Sequence, residues 1–267
     1  MRTACAGQPF RGSAATSLPQ MAALCAANLR DALTNKEFSS KAEKYLYSRD
    51  HFRKVAQHEF LKFNDEANLL VASINELVAS LTLFVSGKSF RGIDNGLYLA
   101  DLMVSFCRSH FIASDLLLGG ELVEGAVIVR KQIELLARLN EIANGLDIER
   151  LIRRTPNIKH LKTGLNRLYS DYSVISHSAS PKVMELLGRK DYEQGTFTPL
   201  YPEFQENSYV SMQHLVMSAL EYYVWCVNFF SDNFEDYDST SDSVLFEKSF
   251  EQHEKIYTGV PVSELGT

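Results

Sequence analysis

Residues 114–145 read SDLLLGGELVEGAVIVRKQIELLARLNEIANG, and their pattern decides the fold class. Gly119-Gly120 interrupts two long stretches whose apolar residues recur with helical rather than strand period. A break that short between two helices predicts an antiparallel hairpin. The second helix runs to Asn144, and Gly145 is placed to end it as the residue after the cap. Around its axis, Ile133, Leu136 and Ala137 lie on one side and Ile128, Leu135 and Leu139 on another. Arg130, Glu134, Arg138 and Glu141 share one narrow sector, which a turn earlier holds Val123 and Val127. A face that starts apolar and turns charged suggests charges entering a groove. Two i,i+4 pairs, Arg130–Glu134 and Glu134–Arg138, would let one carboxylate hold both arginines; equally, they could lace a solvated face.

The same periodicity extends in both directions. It predicts helices over about 19–33, 38–63, 65–85 with Asp65 as N-cap, 94–118 capped by Asp94 or Asn95, 157–177, a short one from Pro181, 206–234 and 244–257. Residues 191–202 hold Gly195, Pro199 and Pro202 and read as a loop with a brief extended piece. The expected architecture is all-α: an antiparallel bundle over 93–235, N-terminal helices at 21–92 packed on it, a disordered extension at 1–20, and an acidic linker with a final helix at 236–267. The first 30 residues lack Asp, Glu and Lys, a composition fitting disorder or a transit peptide. The strongest candidate span, 215–230, is interrupted by Glu221 and is short of about 20 residues, so no membrane crossing is expected.

The chain's 267 residues are 45% hydrophobic and 22% charged, with net charge -6. With 14 Gly, 7 Pro and 4 Cys, collagen, low complexity and a disulfide scaffold are excluded. Cys5, Cys25, Cys107 and Cys226 are scattered, without zinc-site spacing, and read as reduced thiols of a cytoplasmic protein. No HExxH, EF-hand or Walker A motif occurs, so neither a metal nor another cofactor is expected. The glycine-lysine-serine at 87–89 lacks the upstream glycine and the strand of a phosphate loop.

Against the acidic balance, Arg150, Arg153, Arg154, Lys159, Lys162 and Arg167 fall within 18 residues without an intervening acid. The chain-wide rate supplies about 2 there. Such a segment suits a phosphate backbone, or else pairs with the acidic stretch 231–243. Downstream, Asn166, Ser170, Ser173 and His177 form a stripe of short polar groups beside the apolar Leu165, Leu168, Tyr172 and Ile175. His177 could serve as a general acid or base, or could close the helix C-terminus.

SDLLLGGELVEGAVIVRKQIELLARL (114–139) followed by LYSDYSVISH (168–177) resembles a bacterial family of HEPN-like helical proteins of undefined function. The matching positions are Leu117, Leu118, Gly120, Ala126, Arg130 and Glu134, then Tyr169, Ser173 and His177. The resemblance implies a dimerising helical bundle, in a superfamily rich in toxin–antitoxin and phage-defence ribonucleases that need no metal. That superfamily's signature is Arg followed four to six residues later by His on one late helix. Arg53–His58, Arg153–His160 and Arg154–His160 have that spacing, but chance supplies about one match in such a chain, and Pro156 intervenes in the latter two. A ribonuclease would therefore draw on Arg130, oriented by Glu134, with His177 as acid or base. Ser173 and Tyr169 would position the phosphate, and Arg150, Arg153, Arg154, Lys159, Lys162 and Arg167 would hold the flanking RNA. The other reading is a non-catalytic sensor, scaffold or antitoxin-like partner, its polar cluster specifying how helices pack. The aromatic helix near 222–230, apolar all round, predicts a homodimer or a partner protein.

Overall fold

The computed structural model describes residues 37–161, 164–177, 182–192 and 195–257. The expected extension at 1–20 and helix at 19–33 lie outside them, as does Lys162. By compactness the chain divides between His51 and Phe52. Helix α1 (Lys41–Phe63) runs through that division. Its first turn is closed by Ser40, whose Oγ accepts from the Glu43 N–H at 3.1 Å, while the Glu43 carboxylate accepts from the Ser39 N–H at 2.8 Å.

The remaining helices are α2 (Asp65–Phe84), α3 (Gly96–Leu118), α4 (Leu122–Ala143), α5 (Ile148–Leu151), α6 (Leu165–Ser176), α7 (Lys182–Leu186), α8 (Asn207–Asn233) and α9 (Thr240–Tyr257). A one-turn 3₁₀ helix, Ile158–His160, precedes α6, and strands β1 (Lys190–Tyr192) and β2 (Gly195–Phe197) pair antiparallel. The chain is thus mostly helical, in line with the expected all-α class. α4 is central: α3, α6, α7, α8 and the 3₁₀ turn all pack on it. Val129, Ile133, Leu136 and Leu139 are completely buried there. Each buried aliphatic side chain of that size contributes about 1.5–3 kcal/mol.

The α3–α4 hairpin closes at Gly120, whose φ of 78° is left-handed. The Glu121 N–H donates to the Leu116 carbonyl at 2.9 Å and the Gly120 N–H to Leu117 at 3.3 Å, satisfying the last carbonyls of α3. A Cβ at Gly120 would sit 2.5 Å from the Glu203 carbonyl oxygen, so both torsion and space demand glycine. At the far end, Gly145 and Leu146 close α4 through the Ile142 and Glu141 carbonyls.

Several expectations are corrected. Asn64, not Asp65, caps α2; its Oδ1 accepts from the Ala67 N–H at 3.1 Å. Asn95 precedes α3 in a left-handed conformation and makes no side-chain cap. The continuous helix expected over 157–177 is two pieces, because Leu161 turns extended after the 3₁₀ turn and α6 begins only at Leu165. The final helix starts at Thr240 rather than near 244, its first turn fixed by Asp242, which accepts from Ser80 Oγ at 2.6 Å and Tyr237 Oη at 3.1 Å. Among the described residues the helix long and apolar enough to cross a membrane is α2, not 215–230. Leu70, Ile74, Leu77 and Leu81 of α2 are nonetheless core residues. In the aromatic stretch of α8, Tyr222 stacks on Phe106 at 4.0 Å and Tyr223 on Phe246 of α9 at 4.3 Å, while Val224 is exposed.

Candidate functional site

The sequence singles out the charged sector of α4, and α6 and the preceding loop cover it. α6 runs antiparallel to α4, so its C-terminal turn meets Arg130 and its first turns meet Glu134. Arg130 Nη1 donates to Ser176 Oγ at 2.6 Å and Nη2 to Tyr169 Oη at 3.2 Å. Arg130 Nε lies 3.2 Å from Glu134 Oε1, an ion-pair contact whose angle is not that of a hydrogen bond. Tyr169 Oη in turn donates to Glu134 Oε1 at 2.8 Å, and the guanidinium carbon stands 5.2 Å from the Tyr169 ring centre. The Ser176 hydroxyl donates to the Ser173 carbonyl at 3.0 Å.

Hydrogen bonds thus run from Arg130 to Ser176 and Tyr169 and on from Tyr169 to Glu134, linking the four side chains. Burial pushes the Tyr169 phenol above its ordinary value; the Arg130 hydrogen bond opposes this and Glu134 adds to it. The phenol therefore stays protonated and serves as a donor, not a base. Tyr169 first and Glu134 after it raise the Arg130 guanidinium. Arg130 keeps 21% of its side chain exposed, and one N–H on each Nη is without a partner among the described residues.

Arg130 and Glu134 are thus paired, as their i,i+4 spacing suggested, and Tyr169 joins them. Ser173 contributes its carbonyl rather than its hydroxyl, and Ser176, which the reading of the polar stripe passed over, makes the contact with Arg130. His177 occupies the C-cap of α6, with its backbone N–H donating to Ser173 at 3.2 Å. Its imidazole is exposed and hydrogen-bonds to none of the four.

The second half of the charged sector forms a different cluster. Arg138 pairs with Glu141, not Glu134: Nη1 donates to Glu141 Oε2 at 2.9 Å. Glu141, completely buried, also accepts from Arg154 Nη2 and from the Asn157 backbone N–H, both at 3.0 Å through Oε1. Arg138 Nη2 reaches the Arg154 carbonyl at 2.5 Å. One carboxylate on α4 thereby fixes the conformation of residues 154–157. Asp147 caps the short α5 just before it, accepting from the Glu149 N–H at 3.0 Å. Arg154, expected to contact RNA, is half committed to this anchor.

The other described residues of the basic segment face outward. Arg153, Lys159 and Arg167 are exposed, and Arg150, 87% exposed, has Asp147 at 3.7 Å as its ion-pair partner among the described residues. Three acids of the acidic stretch are engaged elsewhere: Asp236 pairs with Lys88, Asp238 holds Thr240, and Asp242 is bonded to Ser80 and Tyr237.

A further polar pair went unread in the sequence. Tyr172 Oη is 2.7 Å from His214 Nδ1 across α6 and α8. Burial lowers His214 to about 4 and raises the Tyr172 phenol, so a neutral imidazole accepts from the phenol. A polar residue on each of two otherwise apolar helix faces is the sole sequence trace of such a pair. Among the described residues, no group of three or more His, Cys, Asp or Glu is arranged to hold a metal ion. Comparison of the chain with protein-family models, curated proteins and solved structures returns no match.

Proposed function

We propose that this chain is an RNA-binding helical protein, of the HEPN-like kind its hairpin and α6 resemble, which docks the phosphate backbone on the loop between α4 and α6. The Glu141 anchor carries the reading. A wholly buried carboxylate bonded to two arginines and a main-chain N–H gives the loop one conformation, and beside it Arg150, Arg153 and Lys159 stand exposed, with the exposed Arg150–Asp147 contact at 3.7 Å as the acidic partner among the described residues. A preorganised cationic surface in an acidic protein suits a polyanion, since counterion release drives such binding. The Arg130–Glu134–Tyr169–Ser176 relay serves here as the structural clamp between α4 and α6, because its hydrogen bonds join the two helices.

Catalysis by the same protein is the second reading. Arg130 retains free N–H groups, and its partner Ser176 immediately precedes His177 in the chain; the two would suit a phosphorane and a proton-transfer group. A setting in toxin–antitoxin or phage defence would follow from that. Fluorescence anisotropy with a labelled RNA tests the binding reading: Arg153→Glu combined with Lys159→Glu should weaken binding at least about tenfold. Wild-type protein that binds no RNA at low salt would overturn it and favour a scaffold or sensor. Cleavage of the bound RNA, lost in His177→Ala, would establish the second reading.

A further inference from the structure

The β-hairpin that follows α7 has no role in the clamp or the anchor. In the antiparallel register Lys190 lies opposite Phe197, and Tyr192 opposite Gly195. Opposed residues share a face and so do residues two apart on one strand. Lys190, Tyr192 and Phe197 therefore stand on one side of the ribbon, with Asp191 and Thr196 on the other. That second side is tied by the Thr196 hydroxyl donating to Asp191 at 2.7 Å. Both rings are open to solvent, Tyr192 by 60% and Phe197 by 55%. Gly195 adds no bulk beside Tyr192, and a Cβ built there would meet nothing within 4 Å.

The hairpin's location gives these rings a context. Lys190 Nζ binds Glu203 Oε1 at 2.8 Å, and the Glu203 carbonyl sits at the Gly120 turn, the N-terminal end of α4. The basic loop is anchored by Glu141 near the C-terminal end. At 22 residues, α4 separates the two by about 30 Å. α6, about 18 Å long at 12 residues, lies antiparallel to α4 from the anchor side as far as Arg130, with Asn166, Arg167, Ser170 and His177 exposed on it. Cations thus mark one end of α4, and two solvated aromatic rings with a lysine mark the other.

Resting on the RNA-binding reading, we propose that the ligand is single-stranded: its phosphates dock on Arg150, Arg153 and Lys159, the strand follows α6, and unpaired bases stack on Tyr192 and Phe197. Duplex RNA hides its base faces in its own stack, so exposed rings offer it little. A single strand presents them, and stacking on aromatic side chains is tolerant of sequence.

The test compares a labelled single-stranded RNA of about 12 nucleotides, within the usual range of site sizes, with a duplex of the same length. Wild-type protein should prefer the single strand. Tyr192→Ala with Phe197→Ala should weaken single-strand binding at least about tenfold, leave duplex binding and the salt slope unchanged, and leave the thermal midpoint unchanged. Tyr192→Phe should bind as wild type does. Single-strand affinity within about twofold of wild type in the double variant, or an equal loss for duplex, overturns the platform while the basic-loop reading stands. Failure of wild-type protein to bind either RNA overturns both.

Discussion

Replacing Glu141 by alanine removes one carboxylate and strands several partners at once. Arg138 is almost fully buried and would keep only its bond to the Arg154 carbonyl. The Asn157 N–H and the inner N–H of Arg154 would also lose their acceptor. Breaking a buried ion pair from one side costs about 3–5 kcal/mol, because the remaining charge is left in a low-dielectric site. Against a total stability of about 5–15 kcal/mol, that is a large fraction. At roughly 2–4 °C per kcal/mol for a domain of this size, the midpoint should fall by about 6–20 °C. Glu141→Gln keeps the shape and an acceptor, and should cost about 1–3 kcal/mol. Urea unfolding gives both values, and amide exchange should show protection lost first at Asn157. RNA affinity should fall as well, although Arg150, Arg153 and Lys159 are untouched. An alanine variant within about 0.5 kcal/mol of wild type, with Asn157 still protected, would refute the anchor.

Burial holds His110 near 3, well below its ordinary 6.5, with Nε2 paired to Asn75 Oδ1 at 2.8 Å. The unfolded chain therefore takes up a proton below pH 6.5 that the folded chain refuses, and stability is lost as the pH falls from 6.5 towards 3. The loss should reach about 2 kcal/mol by pH 5 from this residue alone. His110→Gln should flatten the pH profile of unfolding, and an unchanged slope would contradict the assignment. Gly120→Ala should cost about 2 kcal/mol or more, through the left-handed torsion and the contact with Glu203, measured by thermal unfolding; a neutral result would mean the hairpin turn adjusts freely. Arg130→Ala should destabilise by about 1–3 kcal/mol, since Ser176 and Tyr169 lose their donor and Glu134 its ion partner. His177→Ala should leave the midpoint within about 1 °C, and a larger drop would place the imidazole in the fold.

The helical hairpin was legible in residues 114–145 because its signals are local: Gly120 supplies a torsion other residues resist, and apolar spacing marks which sides of α4 must be covered. Arg130 and Glu134 were legible for the same reason, being a turn apart on one helix. Their partners were not. Whether Ser173 or Ser176 meets Arg130 depends on the rotation of α6 against α4, which a polar stripe alone does not determine. Arg138 was assigned to Glu134 by helix spacing, yet the loop at 154–157 turns Glu141 into the better partner, a tertiary choice between two carboxylates on the same face. The coverage of α8 by α9 was hidden for a similar reason, since an amphipathic final helix does not announce which neighbour it shields. The hairpin at 190–197 was legible only as an extended piece within a loop, with no alternation long enough to set a register.

The loop between α4 and α6 carries the functional account, and the salt dependence of RNA binding tests it most directly. If Arg150, Arg153 and Lys159 each neutralise a phosphate, they supply about 2 units of the slope of log affinity against log salt, at about 0.7 per contact on a single strand. Changing all three to glutamine should flatten the slope by that amount and leave the midpoint of unfolding in place, since none of the three holds the anchor. Binding by the triple variant with the wild-type affinity and slope would contradict the account.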